Sequence, residues 1–207
     1  VVISNTGEIP VEPTLNFKNI ISKDFNFENE FFNKNKKFNP QFRPNLMDEA
    51  MIYFNNNNAF KYSHYNLLVN ANGIQKKIKL NRGESVKINI PNTSISWVIL
   101  QAILPLLTGT SLTYKNPEYI FSLPEQFENP NYIIREKWVN IDSTIPPTIF
   151  ILSENSGALS INKEPIHLTD YKFNNNKLEL IGHSVMMGYL DKAKNDKCFC
   201  NQVLTIS

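Results

Sequence analysis

The sequence predicts an α/β fold built around a parallel sheet, and three observations lead there. Residues 50–114 run strand, helix, strand, helix, strand, the order that builds parallel sheets with crossover helices. An apolar run from Ile145 to Leu152 then empties into the polar step Ser153-Glu154-Asn155, as buried strands do at the ligand-binding edge of such sheets. The composition is globular, 42% hydrophobic and 12% aromatic over 207 residues, enough chain to bury a core.

The totals also exclude. A formal net charge of +2 gives no broad basic face for nucleic acid or an anionic membrane. Only 7 glycines are present, so a glycine-rich phosphate loop is poorly supplied. Cys198 and Cys200, one residue apart, suit neither a mutual structural disulfide nor a zinc site, and a reducing intracellular compartment is the expectation. The longest apolar run, Val98 to Leu107, is broken by Gln101 and Pro105 and is too short to span a bilayer. The chain opens on Val1 without a signal peptide, and a fragment or trimmed product is expected.

Taken in order, Val1 to Ser4 reads as a short strand closed by a turn at Asn5-Thr6-Gly7, and Phe17 to Ile21 as a helical turn. Residues 24–45, rich in Asn, Phe and interleaved charge, read as a surface segment; their basic and aromatic residues are too offset by acids for a single-strand nucleic-acid platform. Ala50 to Phe54 is a strand, and Asn55 to Asn58 break it. Ser63 is the expected N-cap of a helix with the stripe Leu67, Leu68, Ala71, Ile74 and Ile78. Ser85 to Ile90 alternates as a strand, Ile95 to Leu107 is a buried helix ended by Gly109, and Ser111 to Tyr114 is a strand. Residues 115–140, punctuated by Pro117, Pro124 and Pro130, show no period, and Trp138 to Ile141 reads as a strand. Short strands follow over Leu159–Leu168, Asp170–Phe173 and Lys177–Ile181, with Asn174-Asn175-Asn176 as a hairpin turn. The division is 1–47, 48–114, 115–144 as an irregular connector, 145–190, and a tail at 191–207.

Three collinear pieces resemble the adenylate-forming superfamily, whose members activate a carboxylate with ATP and pass the acyl group to a thiol, often coenzyme A. The first is Asp48-Glu49-Ala50-Met51-Ile52-Tyr53 followed by Ser63-His64-Tyr65-Asn66-Leu67-Leu68, then Leu80-Asn81-Arg82-Gly83-Glu84 and Leu104-Pro105-Leu106-Leu107-Thr108-Gly109. The second, Phe150 to Gly157, is similar to the family's Tyr-Gly-x-Ser/Thr-Glu motif. The third, Gly182-x-x-Val185-Met186-x-Gly188-Tyr189, is similar to its GxxVMxGY segment. The wording of the last two leans toward long-chain or very-long-chain acyl-CoA synthetases.

The resemblance implies part of the large N-terminal domain of that family, an incomplete layered α/β sheet. It implies ATP, magnesium and CoA as cofactors and a small carboxylic acid, including long-chain fatty acids, as substrate. It implies that the ring of Phe150 lies by the adenine, Ser153 contacts phosphate, Glu154 binds magnesium and Lys61 is the remnant of the loop lysine. A hydroxyl beside a carboxylate is chemically suited to a phosphate and its hard cation. The location implied is the cytoplasm or an organelle surface, with room for peripheral membrane contact; the oligomeric state is not encoded legibly.

The departures are specific. Phe54 to Tyr62 holds no glycine and is shorter than the family's phosphate loop, and Ile151 replaces the motif glycine. Asn92-Thr93-Ser94 stands where an aromatic-His step is usual; no GG motif lies between Thr113 and Trp138; and no TGD aspartate follows Tyr189. No residue is assigned a catalytic role. The function expected is therefore an AMP-forming acyl-CoA synthetase region with weak or no activity, or a non-catalytic nucleotide- or acyl-binding pseudoenzyme or interaction module. An unrelated α/β binding protein is the third reading. No G-x-S-x-G elbow supports a hydrolase, and His64, His167 and His183 lack partners at metal-ligand spacing.

Overall fold

The computed structural model describes residues 2–4, 14–16, 44–55, 57–126, 129–136, 146–174, 177–200 and 203–206. The chain falls into two units, Val1–Arg43 and Pro44–Ser207. In the first, β1 (Val2–Ser4) and β2 (Thr14–Asn16) pair in parallel, Val2 opposite Thr14. The turn expected at 5–7, the helical turn at 17–21 and all but the last two residues of the 24–45 segment lie outside the described residues.

The second unit opens with a hairpin. β3 (Glu49–Asn55) and β4 (Asn58–Ser63) pair antiparallel from Glu49↔Ser63 to Asn55↔Asn58. Residues 58–62, expected as loop, are strand because Phe60 and Tyr62 alternate into the core while Lys61 between them faces the other way. Ser63 caps α1 (His64–Ile78) reciprocally, its hydroxyl accepting from the Asn66 amide while the Asn66 side chain accepts from the Ser63 amide. Leu67, Ala71 and Ile74 of the expected stripe are buried; Leu68 faces outward at 41% exposure.

After β5 (Ser85–Asn89) comes the apolar helix, in three parts. α2 (Ile95–Trp97) runs through a π-helical stretch at Val98–Ile103 into α3 (Leu104–Thr108). The widening stops at Pro105, which has no N–H to offer as the next donor of the ladder. Gly109, at φ 73°, closes the helix in the left-handed region.

The main sheet has seven strands. β6 (Ser111–Leu112), β7 (Tyr119–Ser122), β8 (Tyr132–Arg135) and β9 (Thr148–Leu152) join β5, with β10 (Gly157–Ile161) and β11 (Glu164–Pro165) at one edge. The order is β11-β10-β9-β8-β7-β5-β6; β9, β8, β7, β5 and β6 run parallel, and β10 and β11 antiparallel. The predicted α/β class with a parallel sheet is the fold observed. The predicted irregular connector is not: residues 115–144 contribute two of the sheet's inner strands. Each is only four residues long, and their prolines hide an apolar interior formed by Phe121, Ile133 and Ile134. The strand read at 138–141 lies outside the described residues.

Ile134 and Ile149, on neighbouring strands, are both fully buried; each such side chain contributes roughly 1.5–3 kcal/mol by leaving water. The remaining strands, β12 (Thr169–Asn174), β13 (Lys177–Gly182), β15 (Phe199–Cys200) and β16 (Val203–Ile206), form an antiparallel sheet ordered β12-β13-β16-β15. Gly182, first residue of the third family-like piece, sits at φ 139°, and a Cβ there would lie 2.3 Å from the Leu168 carbonyl oxygen. Only glycine fits so close an approach. β14 (Gly188–Tyr189) leaves this sheet to pair with β4, Gly188 opposite Lys61 and Tyr189 opposite Phe60.

The charged tail holds a short helix, α4 (Lys192–Cys198), capped by the Asp191 side chain on the Lys194 amide. It buries none of its residues, so no apolar stripe announces it in the sequence. No described helix is long and apolar enough to cross a membrane.

Candidate nucleotide and acid site

β9 ends at the carboxyl edge of the parallel strands, where open α/β sheets place ligands. Its last residue, Leu152, leads into a 3₁₀ turn, Ser153–Asn155, closed by the Ser156 amide donating to the Ser153 carbonyl at 3.1 Å. Ser156 is left-handed at φ 56°. The turn is held from below by Asn70 of α1, which is fully buried. Its Nδ2 donates to the carbonyls of Asn155 and Ala158 at 2.8 Å each, and its Oδ1 accepts from the Ala158 amide at 3.0 Å. One side chain thereby satisfies three backbone groups of the turn and fixes where Ser153 and Glu154 point.

From the other side, the hairpin and β14 supply a layer of aromatic residues. Tyr62 Oη donates to the Ser153 carbonyl at 2.9 Å, Tyr189 Oη donates to Glu154 Oε1 at 2.9 Å, and the Met186 amide donates to the Glu154 carbonyl at 2.9 Å. Ring centroids of Phe60 and Tyr189 are 5.5 Å apart, and those of Tyr53 and Phe60 5.9 Å. Burial, reinforced by the nearby Glu154 charge, pushes both the Tyr62 and Tyr189 phenols well above the ordinary tyrosine range. Both stay neutral donors near neutral pH, so the Glu154 carboxylate keeps one oxygen anchored.

Two cavities open at this edge. The smaller, about 220 Å³, is walled by Asn55, Asn58, Phe60, Glu136, Ser153 and Glu154 among others. The larger, about 540 Å³, lies over the ends of β5, β7 and β8, and includes Tyr53, Ile90, Leu123, Ile134 and Arg135 in its wall. Asn55, Glu136 and Ile151 belong to both. Tyr53 Oη donates to the Thr93 carbonyl at 2.9 Å, tying the hairpin to the loop after β5.

The four predicted site residues separate. Ser153 and Glu154 stand together, half-buried, on the wall of the smaller cavity. Phe150 does not join them. It is 2% exposed, opposite Arg135 and Ser160 in the sheet, with no ring face open to either cavity, because a residue two positions before the strand's end is still interior. Lys61 is also elsewhere: on β4 it alternates with Phe60 and Tyr62, so its side chain points away from the layer they form, and it lines neither cavity.

The expected phosphate loop is reduced to two residues between Asn55 and Asn58. Such a turn has too few backbone N–H groups to encircle a triphosphate. A cation does reach it from α4: Lys194 Nζ donates to Asn58 Oδ1 and sits 4.2 Å over the Tyr189 ring. The Asn195 side chain accepts from the Tyr189 amide at 2.9 Å, fixing α4 against β14.

As for a metal, the described residues contain no group of three His, Cys, Asp or Glu able to cage one. Magnesium bound jointly by one carboxylate, a hydroxyl and nucleotide phosphates needs no such cage, and Glu154 with Ser153 fits that mode. No Lys or Arg is among the described residues walling the smaller cavity, so phosphate charge there would be offset by the cation it brings.

No protein-family profile matches the sequence, and no curated protein matches it either. Solved structures do. The chain is similar to Escherichia coli MenE bound to an analogue of OSB-AMS, with a TM-score of 0.63 and 12% identity over 78% of this chain and 45% of that one. It is similar to o-succinylbenzoate coenzyme A synthetase from Bacillus subtilis in complex with ATP and magnesium, with a TM-score of 0.61 and 13% identity over 79% and 58%. It is likewise similar to the N-terminal domain of FACL13 from Mycobacterium tuberculosis, with a TM-score of 0.60 and 11% identity over 80% and 58%. At 11–13% identity the likeness shows a shared fold, and the chain spans about half the length of these structures.

Sequence reasoning missed Tyr62, Lys194, Arg135 and Glu136, and read Tyr189 only as the end of a motif. For Tyr62 the signal was available, since Phe60-Lys61-Tyr62 alternates with a polar centre. Lys194 lies in a charged segment, and its pairing with Asn58 spans 136 residues that no local pattern links.

Proposed function

We propose that the carboxyl edge of the sheet binds a magnesium nucleotide at the Ser153–Glu154 turn, beside a carboxylic acid in the larger cavity. This is the arrangement for AMP-forming activation of an acid: an acid oxygen attacks the α-phosphorus, pyrophosphate leaves, and an acyl-adenylate remains. The observation that carries the reading is the placement of Glu154, a carboxylate anchored by Tyr189 on a cavity wall at the end of β9. The likeness to a synthetase solved with ATP and magnesium supports it. Glu154 and the Ser153 hydroxyl would hold the magnesium, and Lys194 would meet the phosphates at the hairpin.

A second reading, a nucleotide- or acyl-binding protein without turnover, is favoured by the two-residue hairpin in place of a phosphate loop. Exchange of labelled pyrophosphate into ATP, started by adding a carboxylic acid, separates the two. Acid-dependent exchange supports the enzyme; magnesium-ATP binding without exchange supports the second reading; absence of both rejects the site.

A further inference from the structure

The larger cavity is mostly apolar. Tyr53, Ile90, Leu123, Pro124, Ile134 and Ile151 account for much of its wall, and Arg135 is the one cation among its described residues. Arg135 closes β8, so its guanidinium reaches the carboxyl edge while its backbone is fixed opposite Phe150. Its Nε is buried and has no hydrogen-bond partner. Glu125 and Glu136 belong to the same wall, yet neither makes an ion pair with it. The side chain is half-buried and a guanidinium carries a planar fork of donors, so its buried Nε–H lacks an oxygen acceptor.

We infer that the larger cavity takes an apolar monocarboxylic acid whose carboxylate is held by Arg135. The apolar wall accommodates a chain or ring, and the fork matches a carboxylate in bidentate fashion. Glu125 and Glu136 stand in the same wall, and their two carboxylates repel a polyanion more than a single carboxylate paired with Arg135. Arg135 therefore takes the acid, and not the phosphates of the nucleotide. The inference deepens the function proposed above by assigning the acid's polar anchor, and it is tested without turnover.

The experiment is calorimetric titration of the full chain with octanoate and with octan-1-ol, in the absence of ATP, followed by magnesium-ATP in a separate titration. Octanoate is expected to bind on the order of tenfold more tightly than the alcohol, the margin of a charge-assisted pair. Arg135→Gln erases that margin without changing the alcohol's affinity or that of magnesium-ATP, and Arg135→Lys restores part of it. Equal binding of acid and alcohol by the unaltered protein overturns the inference, and this comparison holds whether or not the variants fold. Loss of magnesium-ATP affinity in Arg135→Gln with octanoate unaffected also overturns it, making Arg135 a phosphate ligand. Arg135-dependent octanoate binding with no magnesium-ATP binding supports the inference and rejects the nucleotide reading instead.

Discussion

Tyr189 of β14 donates its phenol hydrogen to Glu154 at the end of β9, a 2.9 Å bond between residues 35 apart in the chain. It joins the second and third family-like pieces of the sequence in one contact, and it fixes the carboxylate on which the proposed site depends. Tyr189→Phe keeps the ring against Phe60 and removes only that donor. A hydrogen bond to a charged group is worth about 1.5–3 kcal/mol, and the Glu154 oxygen is only half-buried, so a loss of about 1–2 kcal/mol is expected by urea unfolding. Magnesium-dependent nucleotide affinity falls as well, because the carboxylate is free to turn.

Asn70 makes the complementary prediction from beneath. Asn70→Ala strips three hydrogen bonds from a fully buried position and leaves the carbonyls of Asn155 and Ala158 with one donor fewer each. The expected cost is about 3 kcal/mol, from the Ala158 amide and Asn155 carbonyl that lose their Asn70 partner and from the cavity together. Asn70→Asp is predicted to cost at least as much, since a carboxylate would face those carbonyls without a donor. Chemical denaturation of both variants checks the ranking.

How much of this was readable in advance depends on the reach of each signal. The Ser63 cap, the stripe of α1 apart from Leu68, and the strand before Ser153 are local patterns, and the structure has them. The inner strands β7 and β8 were not legible, because four-residue strands between prolines carry too few alternations to establish a period. Ser153 and Glu154 were proposed from adjacency and chemistry, and the structure puts both on the wall of the smaller cavity. Phe150 was misplaced on a cavity because the motif was read as a linear list; only the sheet register reveals that its side chain is interior. The pairing of Lys194 with Asn58 and the unpartnered Nε of Arg135 are products of tertiary packing, which one sequence does not display.

Gly182 tests whether the third family-like piece is kept for shape. At φ 139°, with a Cβ due to land 2.3 Å from the Leu168 carbonyl oxygen, Gly182→Ala must displace the start of β12 from the end of β13. A destabilisation of about 3 kcal/mol is expected, with a fall in the thermal midpoint as the measurement. A change below about 0.5 kcal/mol, the scale of ordinary surface substitutions, would contradict the geometry.

The buried phenols set an alkaline limit. Tyr62 and Tyr189 ionise at higher pH in the folded chain than the ordinary value of 10.0, chiefly because burial disfavours the phenolate and secondly because Glu154 is near. Above the ordinary value the unfolded chain releases these protons while the folded chain retains them. The folded state then binds more protons, so stability is fully present below about pH 10 and falls as pH rises beyond it. Thermal midpoints followed from pH 8 upward are expected to drop in that window, and Tyr62→Phe is expected to flatten the drop.

The central claim is that Glu154 is the magnesium ligand of a nucleotide site, and calorimetric titration of ATP with and without magnesium tests it most directly. Unaltered protein is predicted to bind ATP at least about tenfold more tightly with magnesium than with a chelator, the scale of one charge-assisted ligand. Glu154→Gln, whose amide oxygen can still accept from Tyr189, is predicted to lose that difference while keeping its fold. Equal ATP affinity with and without magnesium, or a Glu154→Gln variant that retains the full magnesium effect, would contradict the account.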